Sequence, residues 1–216
     1  MARLSIFDLD HTLIRVNASF HFGLYLYQQR FLSLTSAIKS LLHYGRHRLM
    51  GMSIEHLHLK IFENIFRGQR LARIKEHAMR FIQIQLPELL YLPAVQRLRA
   101  AQAEGETVVI LSSSPDFLVK LVAKALEVEN WEATRYSCDR QGNLLGVSSV
   151  LEGQQKAIRL QHWAKEIGVA QEDITVYTDS HLDLPILKAV GKGKVVAVRP
   201  DRKLLHICRA HAWEIL

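Results

Sequence analysis

Two aspartates near the start of the sequence have the type and spacing that catalysis or metal binding needs. Asp8 and Asp10 follow a largely apolar run, residues 4–7, that is typical of a strand buried in a parallel sheet. In an open α/β sheet, ligands bind just beyond the carboxyl ends of the strands. Neighbouring carboxylates disfavour each other's ionisation unless a cation is present, and Mg²⁺ takes oxygen ligands. We therefore predict a magnesium site at this strand end.

A second pair of carboxylates follows a later strand. The β-branched run over residues 174–177 predicts a buried strand, and Asp179 and Asp183 come shortly after it. Turn chemistry explains Asp179 equally well, and an acidic residue at a helix N-terminus explains Asp183.

Hydroxyl side chains follow another predicted strand. Residues 107–111 are β-branched and apolar, and Ser112, Ser113, Ser114 and Pro115 come next, before a predicted helix. Small hydroxyl residues at a helix N-terminus favour anion binding, because side-chain donors and free backbone N–H groups point the same way. A serine that only caps the helix is the alternative interpretation.

One lysine lies where helix electrostatics disfavour it. Residues 155–167 predict a helix, and Lys156 falls in its first turn. A cation at a helix N-terminus is unfavourable, which indicates a functional reason for this lysine. A freely solvated side chain is the alternative.

The apolar pattern of the rest of the sequence predicts a sheet with a helical insertion. Four stretches of apolar residues at three- and four-residue steps lie within residues 17–92, whereas a connection between parallel strands usually holds one helix. The remaining segments alternate between strand and helix patterns, with a hairpin over 131–136 and 144–150. We predict an α/β fold with a doubly wound, mostly parallel, Rossmann-like sheet. Residues 1–16 and 93–216 form this core, and residues 17–92 form an inserted four-helix cap domain.

The composition is typical of an ordinary soluble globular protein. The chain has 216 residues, of which 49% are hydrophobic and 23% charged. Cys138 and Cys208 give neither a metal-binding spacing nor a disulfide framework, so two reduced thiols are expected. No stretch reaches the length of a membrane span, and the early aspartates leave no room for a signal peptide. A cytoplasmic location is therefore the expectation.

The net charge of +7 is compatible with several partners. The sequence has neither zinc-finger spacing nor an RNA-binding aromatic signature, so nucleic-acid binding is not expected. A basic surface that steers small phosphorylated substrates fits the charge equally well. The oligomeric state is not predicted.

The order of the motifs resembles that of a known superfamily. Asp8-Leu9-Asp10-His11-Thr12 is followed by Ser112, then Lys156, then Asp179 with Asp183. This set resembles the haloacid dehalogenase-like (HAD) hydrolases over essentially the whole chain. The helical insertion after the first motif is similar to that of subfamily IB, which contains the phosphoserine phosphatases.

The resemblance implies a magnesium-dependent phosphomonoesterase that acts on a small phosphorylated metabolite. Asp8 would attack phosphorus and form an aspartyl-phosphate, and Asp10 would serve as the general acid and base. Asp8, Asp179 and the backbone carbonyl of Asp10 would bind Mg²⁺, and Asp183 would act from the second shell of the metal site. His11 would flank the site at its mouth, and Thr12 would hold the loop by local hydrogen bonds.

The same resemblance implies a phosphate site formed by Ser112, the Ser113 N–H group and Lys156. Two differences weaken the case for phosphoserine as the substrate. Ser113 and Ser114 stand where phosphoserine phosphatases usually have glycines, and Asn17 stands where they usually have an acidic residue.

Two other functions remain open at this stage. A phosphotransferase would use the same residues and pass the phosphoryl group to an alcohol instead of water. A non-catalytic protein could use the basic insertion to bind anionic lipid or phosphate ligands, although it would need neither Asp8 nor Asp10.

Overall fold

A computed structural model describes residues 2–50 and 53–216. Within these residues the strands form one sheet of seven. They are β1 (Leu4–Phe7), β2 (Thr107–Pro115), β3 (Asn130–Cys138), β4 (Leu144–Ser149), β5 (Ile174–Thr178), β6 (Lys194–Ala197) and β7 (Glu214–Ile215). Their order in the sheet is β4-β3-β2-β1-β5-β6-β7, and β3 and β4 alone pair antiparallel. The predicted α/β fold with a mostly parallel sheet is confirmed.

Helices connect the strands in the order expected. Those between β1 and β2 are α1 (Ala18–Gln28), α2 (Leu34–Met50), α3 (Ile54–Ile61), α4 (Leu71–Leu89) and α5 (Leu92–Ala103). Those that follow β2 are α6 (Asp116–Ala125), α7 (Gly153–Ile167), α8 (Leu184–Ala189) and α9 (Arg202–His211). A wide helical turn, Phe62–Phe66, extends α3 towards α4.

The sheet places β1 between the strands that carry the other polar motifs. Phe7 at the end of β1 lies beside Ile110 of β2 and Tyr177 of β5, in parallel register. The chain runs from β1 to β2 and β3 on one side of β1, and after β4 it crosses to β5 on the other side. The crevice at such a switch point is where α/β sheets bind ligands. The loops after β1, β2 and β5 therefore meet at one edge.

Alternate side chains of each central strand pack on opposite faces of the sheet. Phe7 and Ile110 belong to a core with α4, α5 and α6, whereas Ile6 and Val109 belong to a core with α7, α8 and α9. This alternation follows from the two-residue repeat of a strand. Helices on both faces cover the sheet, so the strands are apolar on both sides.

Helices α1 and α4 share their core with the sheet. The ring centroid of Phe22 lies 5.5 Å from that of Phe81 on α4 and 6.1 Å from that of Phe117 on α6. The chain enters and leaves the insertion side by side, through an antiparallel bridge between Ile14 and Leu90. The crossing lies close to the predicted boundaries, but the division into a core and a cap domain remains a prediction.

The end of β2 differs from the sequence expectation. The strand continues through the serines as far as Pro115, which pairs with Thr134 of β3, and α6 begins only at Asp116. The reason is that β3 supplies a further parallel partner: Thr134 Oγ1 also donates to Ser113 O at 2.7 Å. Ser112 therefore lies within a strand, and the interpretation of it as a helix cap is wrong.

Two further expectations can be compared with the structure. Both cysteines are free, as predicted, and Cys208 is buried. In the part of the chain that the structure describes, no helix is both long enough and apolar enough to cross a membrane.

Candidate active site

The chain turns sharply after β1 and directs both aspartates of the first motif into a crevice. Residues 9–13 form one wide helical turn that is interrupted at Asp10 and His11, and His11 has a left-handed φ of 59°. The turn is closed by the Ile14 N–H group, which donates to Leu9 O at 3.1 Å. Asp8 and Asp10 both line the cavity that opens above the strand ends.

A buried ammonium group joins three distant parts of the sequence. Lys156 Nζ donates to Asp8 Oδ1 at 2.7 Å and to Asp183 Oδ2 at 3.0 Å. Burial would lower the pKa of Lys156, but the carboxylates of Asp183 and Asp8 raise it above its ordinary value. The lysine is therefore charged at neutral pH. Its unfavourable position in the first turn of α7 is offset by these two anions.

A glycine allows α7 to approach the segment that carries Asp183. Gly153, the first residue of α7, has a φ of +28°. A Cβ atom there would lie 3.2 Å from Leu182 O and 3.5 Å from the Pro185 ring. The close approach brings Lys156, one turn later, to Asp183. Asp183 is held in turn by Thr178 Oγ1, which donates to its Oδ2 at 2.6 Å.

The carboxylate of Asp10 is fixed by donors on two other elements. The Ala18 N–H group at the start of α1 donates to Asp10 Oδ1 at 2.6 Å, and Ser114 Oγ donates to Oδ2 at 2.6 Å. Ser19 Oγ lies 2.9 Å from Ser114 Oγ and extends this chain of hydroxyls. Burial raises the pKa of Asp10, and the hydrogen bonds from Ser114 and Ala18 oppose that rise.

Burial and neighbouring negative charges disfavour the ionised forms of the carboxylates at this edge. Burial raises the pKa of Asp8 to about 7; Lys156 opposes the shift, whereas Asp183 and Asp10 add to it. Burial also raises the pKa of Asp179 well above its ordinary value, and the negative charge of Asp8 adds to the effect. Mutual repulsion of this kind is relieved when a cation binds between carboxylates.

All five charged residues predicted for the site meet in one cavity of about 190 Å³. Asp8, Asp10, Lys156, Asp179 and Asp183 line it, and so does Ser113. The prediction that widely separated motifs converge at one sheet edge is therefore met by the positions of these side chains.

Ser112 is less accessible than the sequence predicts. Its side chain is fully buried, and its Oγ accepts a hydrogen bond from the Ser114 N–H group at 3.0 Å. It is not among the residues that line the cavity, in contrast to Ser113 and Ser114. A phosphate-binding role for Ser112 remains a prediction.

His11 and Thr12, which flank the aspartates in sequence, can be compared with the roles expected for them. His11 lines the cavity, as expected for a flanking residue at the mouth. Thr12 Oγ1 is buried and has no hydrogen-bond partner among the described residues, so the expected local hydrogen bonds are not formed.

Several residues that surround the site were not assigned a role from the sequence. Ser114 and Ser19 support Asp10, although a hydroxyl two residues after Ser112 was visible as part of the serine run. His58 on α3 and Tyr136 on β3 also line the cavity, and the His58 Nδ1 atom lies 3.1 Å from the Tyr136 hydroxyl. No local sequence signal pairs two residues so far apart.

The doubly wound sheet carries four carboxylates and a lysine at its switch point, and comparison with known families identifies the class of protein to which this arrangement belongs. Residues 6–188 match the haloacid dehalogenase-like hydrolase family. The chain belongs to this family. The predicted resemblance to the HAD hydrolases is confirmed, and so is the prediction that the chain is a HAD-type phosphatase.

Curated relatives resemble the chain over nearly all of its length. A probable phosphatase of Mycobacterium tuberculosis is 28% identical over 98% of this chain and 74% of its own length. A histidinol-phosphatase of Neisseria meningitidis is 27% identical over 100% of this chain and 99% of its own length.

Solved structures share the fold. A protein of unknown function from Bordetella pertussis superposes with a TM-score of 0.87 at 21% identity, covering 100% of this chain and 99% of that one. A substrate-bound phosphoserine phosphatase superposes with a TM-score of 0.71 at 16% identity, covering 95% of this chain and 90% of that one. At these identities the likeness concerns the fold alone.

Proposed function

We propose that the protein is a magnesium-dependent phosphomonoesterase that acts through an aspartyl-phosphate on Asp8. The observation that supports this most strongly is the contact of Lys156 Nζ with Asp8 Oδ1 at 2.7 Å, inside a cavity that Asp10 and Asp179 also line. A carboxylate held by a buried cation, beside a second carboxylate with its own donors, is an arrangement suited to nucleophilic catalysis.

Asp8 is the nucleophile. One of its oxygens attacks phosphorus, the bond from phosphorus to the ester oxygen breaks, and the alkoxide leaves. A carboxylate and a phosphate oxyanion at about 4 Å repel by roughly 4 kcal/mol per charge pair near a dielectric of 20. The positive charge of Lys156 offsets part of this repulsion and keeps Asp8 in position, because it donates to Oδ1 only and leaves the other oxygen for attack.

Asp10 transfers the proton. In the first step it protonates the leaving alkoxide, and in the second it removes a proton from the water that hydrolyses the aspartyl-phosphate. Its raised pKa makes the protonated form more accessible than for an ordinary aspartate. The donors Ala18 N and Ser114 Oγ fix its orientation for both steps.

The residues present fit a magnesium ion. Asp8 and Asp179 would supply carboxylate oxygens, and the pKa values of both are raised by burial and by neighbouring carboxylates. The backbone carbonyl of Asp10 would supply a third oxygen. Within residues 2–50 and 53–216, no three His, Cys, Asp or Glu side chains are grouped to hold a metal. The Asp10 carboxylate accepts from Ala18 N and Ser114 Oγ, so its main-chain oxygen is proposed as the ligand in place of its side chain. When bound, Mg²⁺ would neutralise phosphate charge.

The remaining motif residues position Lys156 or bind the phosphoryl group. Asp183 orients Lys156 and is itself anchored by Thr178. The Ser113 N–H group and the Ser112 hydroxyl are assigned to the phosphoryl oxygens, as donors at the end of β2. Ser112 Oγ now accepts a hydrogen bond from the Ser114 N–H group, which leaves its own proton available to donate.

The substrate is assigned here only as a small phosphorylated metabolite. One relative is named as a histidinol-phosphatase and one as a phosphoserine phosphatase, and the chain resembles both at 25–27% identity. Asn17, which stands where phosphoserine phosphatases usually have an acidic residue, lines the cavity, and its side chain caps α1 by accepting from the Phe20 N–H group at 2.9 Å.

Hydrolysis of para-nitrophenyl phosphate tests the proposal. The wild-type protein is expected to release phosphate with added Mg²⁺ and to lose this activity with a chelator. Asp8→Asn is nearly isosteric, so it should fold normally and be inactive. Wild-type activity in Asp8→Asn would show that the nucleophile is assigned wrongly, and a chelator-insensitive wild type would exclude the magnesium requirement.

A further inference from the structure

We infer that the natural substrate is the phosphate monoester of an apolar, lipid-like alcohol, whose apolar part lies against α1, α2 and α3. The inference rests on the phosphatase function proposed above and concerns the leaving group alone. It follows from the lining of the cavity beyond the carboxylates.

Apolar side chains form most of that lining. Most come from α1, α2 and α3 and from the segment after α3, among them Phe20, Phe22, Leu24, Leu41, Leu57 and Ile61. Such a surface binds a ligand by removing its apolar area from water, which favours long hydrocarbon groups over polar ones. A small polar metabolite would leave this area wet or empty.

The charged groups lie at the phosphate end only. Among the lining residues that the structure describes, the charged side chains are the four aspartates and Lys156 of the site, and the other ionisable ones are two histidines and two tyrosines. Lys156 is already shared between Asp8 and Asp183. A leaving group whose own carboxylate or ammonium lay against the apolar walls, away from these residues, would be buried without a partner, which is strongly unfavourable. A neutral alcohol meets no such cost.

The polar residues along the walls bond within the protein. Asn17 Oδ1 caps α1, Ser19 Oγ contacts Ser114 Oγ, and His58 Nδ1 contacts the Tyr136 hydroxyl. These contacts hold the helices around the cavity in place. They occupy the polar atoms named here without a substrate, whereas His11 Nε2, next to the aspartates, is buried and has no hydrogen-bond partner among the described residues. Along α1, α2 and α3 the apolar faces therefore decide which leaving group binds.

The apolar wall continues to the outside of the molecule. Leu24 on α1 and Leu41 on α2 line the cavity and are also 42% and 55% exposed. Leu34, Ile38 and Leu42 on α2 are exposed beyond them, at helical spacing. Contiguous exposed apolar residues mark binding surfaces more often than isolated ones do. A chain longer than the cavity would therefore leave it along α2 and remain in contact with apolar side chains.

A series of alkyl phosphates tests the inference on the wild-type protein with Mg²⁺. Ethyl, butyl, hexyl and octyl phosphate are compared below their micelle concentrations, with O-phosphoserine and glycerol phosphate as polar references. We expect kcat/KM to rise by about fourfold for each methylene group that enters the cavity, until the cavity is filled. A flat series, or a preference for either polar reference, would overturn the inference.

A paired substitution locates the effect. Leu41→Ser removes apolar contact from a half-exposed position, and it should lower the ratio of kcat/KM for octyl phosphate to that for ethyl phosphate by about tenfold. Ile158→Ser is the matched control, because Ile158 on α7 is 47% exposed and does not line the cavity. An unchanged ratio in Leu41→Ser, or an equal fall in Ile158→Ser, would contradict the assignment of the wall.

The two proposals fail in different ways. If para-nitrophenyl phosphate is hydrolysed and Asp8→Asn abolishes the reaction, the phosphatase function stands whatever the alkyl series shows. If no phosphate monoester is hydrolysed, the phosphatase function fails first. Loss of the chain-length effect alone refutes only the apolar leaving group.

Discussion

Lys156 Nζ lies 2.7 Å from Asp8 Oδ1 and 3.0 Å from Asp183 Oδ2, so one buried ammonium joins the loops that follow β1 and β5. Lys156→Met should therefore affect both stability and catalysis. Removing one partner of a buried ion pair costs about 3–5 kcal/mol of unfolding free energy, because the remaining charge is uncompensated. Loss of transition-state stabilisation should lower kcat by about 10²–10³-fold.

Urea unfolding and steady-state kinetics at saturating Mg²⁺ measure the two effects. Lys165→Met is the control, since Lys165 lies on the same helix and is exposed. A Lys156→Met variant with wild-type kcat would remove Lys156 from the mechanism.

Ser114 Oγ donates to Asp10 Oδ2 at 2.6 Å, and Ser114→Ala should therefore impair proton transfer while leaving the fold intact. A hydrogen bond to a charged group contributes about 1.5–3 kcal/mol, which corresponds to roughly 10–100-fold in kcat. Ser19→Ala should have a smaller effect, because Ser19 contacts Asp10 only through Ser114.

The measurement compares the loss of kcat for two substrates. Hydrolysis of an ester with a poor leaving group depends on protonation of that group, whereas hydrolysis of para-nitrophenyl phosphate depends on it less. Ser137→Ala on the exposed part of β3 serves as the control. An equal loss with both leaving groups would argue that Ser114 has only a structural role.

Burial raises the pKa of Asp179, the negative charge of Asp8 adds to the rise, and a bound divalent cation should relieve this repulsion. Mg²⁺ should therefore raise the melting temperature of the wild-type protein. At 100 times the dissociation constant the stabilisation is about 2.7 kcal/mol. Asp179→Asn should need about tenfold or more Mg²⁺ for the same shift, because one charged ligand is lost.

Differential scanning fluorimetry over a Mg²⁺ titration gives this result without any activity assay. Glu172→Gln, an exposed residue just before β5, is the control. A magnesium response in Asp179→Asn equal to that of the wild type would place the ion elsewhere.

Phe81 on α4 is fully buried, and its ring contacts those of Phe22 and Tyr25 on α1 at centroid distances of 5.5 and 5.6 Å. Phe81→Ala should reduce the unfolding free energy by about 3–5 kcal/mol. Because this cluster is continuous with the core beneath the sheet, we expect one cooperative transition for the whole chain.

Circular dichroism and tryptophan fluorescence should give coincident denaturant transitions. Ile84→Ala on the exposed side of the same helix should change little. Two separate transitions in Phe81→Ala would show instead that the insertion unfolds as an independent domain.

The sequence predicted the parts of the site that follow from strand periodicity. Asp8 and Asp179 each come directly after a β-branched or apolar run, and parallel strands deliver such residues to one edge. The helical insertion was also predictable, because its apolar residues recur with the helical repeat.

Contacts that depend on tertiary packing could not be predicted in the same way. The extension of β2 to Pro115 requires β3 as a partner, and the two-residue strand β7 has too short a pattern to detect. The support of Asp10 by Ala18 N and Ser114 Oγ depends on where α1 begins relative to β2. Propensity alone does not fix such distances.

Trapping the phosphorylated protein tests the central claim most directly. Wild-type protein is mixed with substrate and Mg²⁺, quenched in acid within milliseconds, digested and examined by mass spectrometry. We expect one added phosphoryl group on the peptide that contains Asp8, more of it in Asp10→Asn than in the wild type, and none in Asp8→Asn. A phosphoryl group on any other residue, or turnover without a phosphorylated species in any variant, would contradict the account.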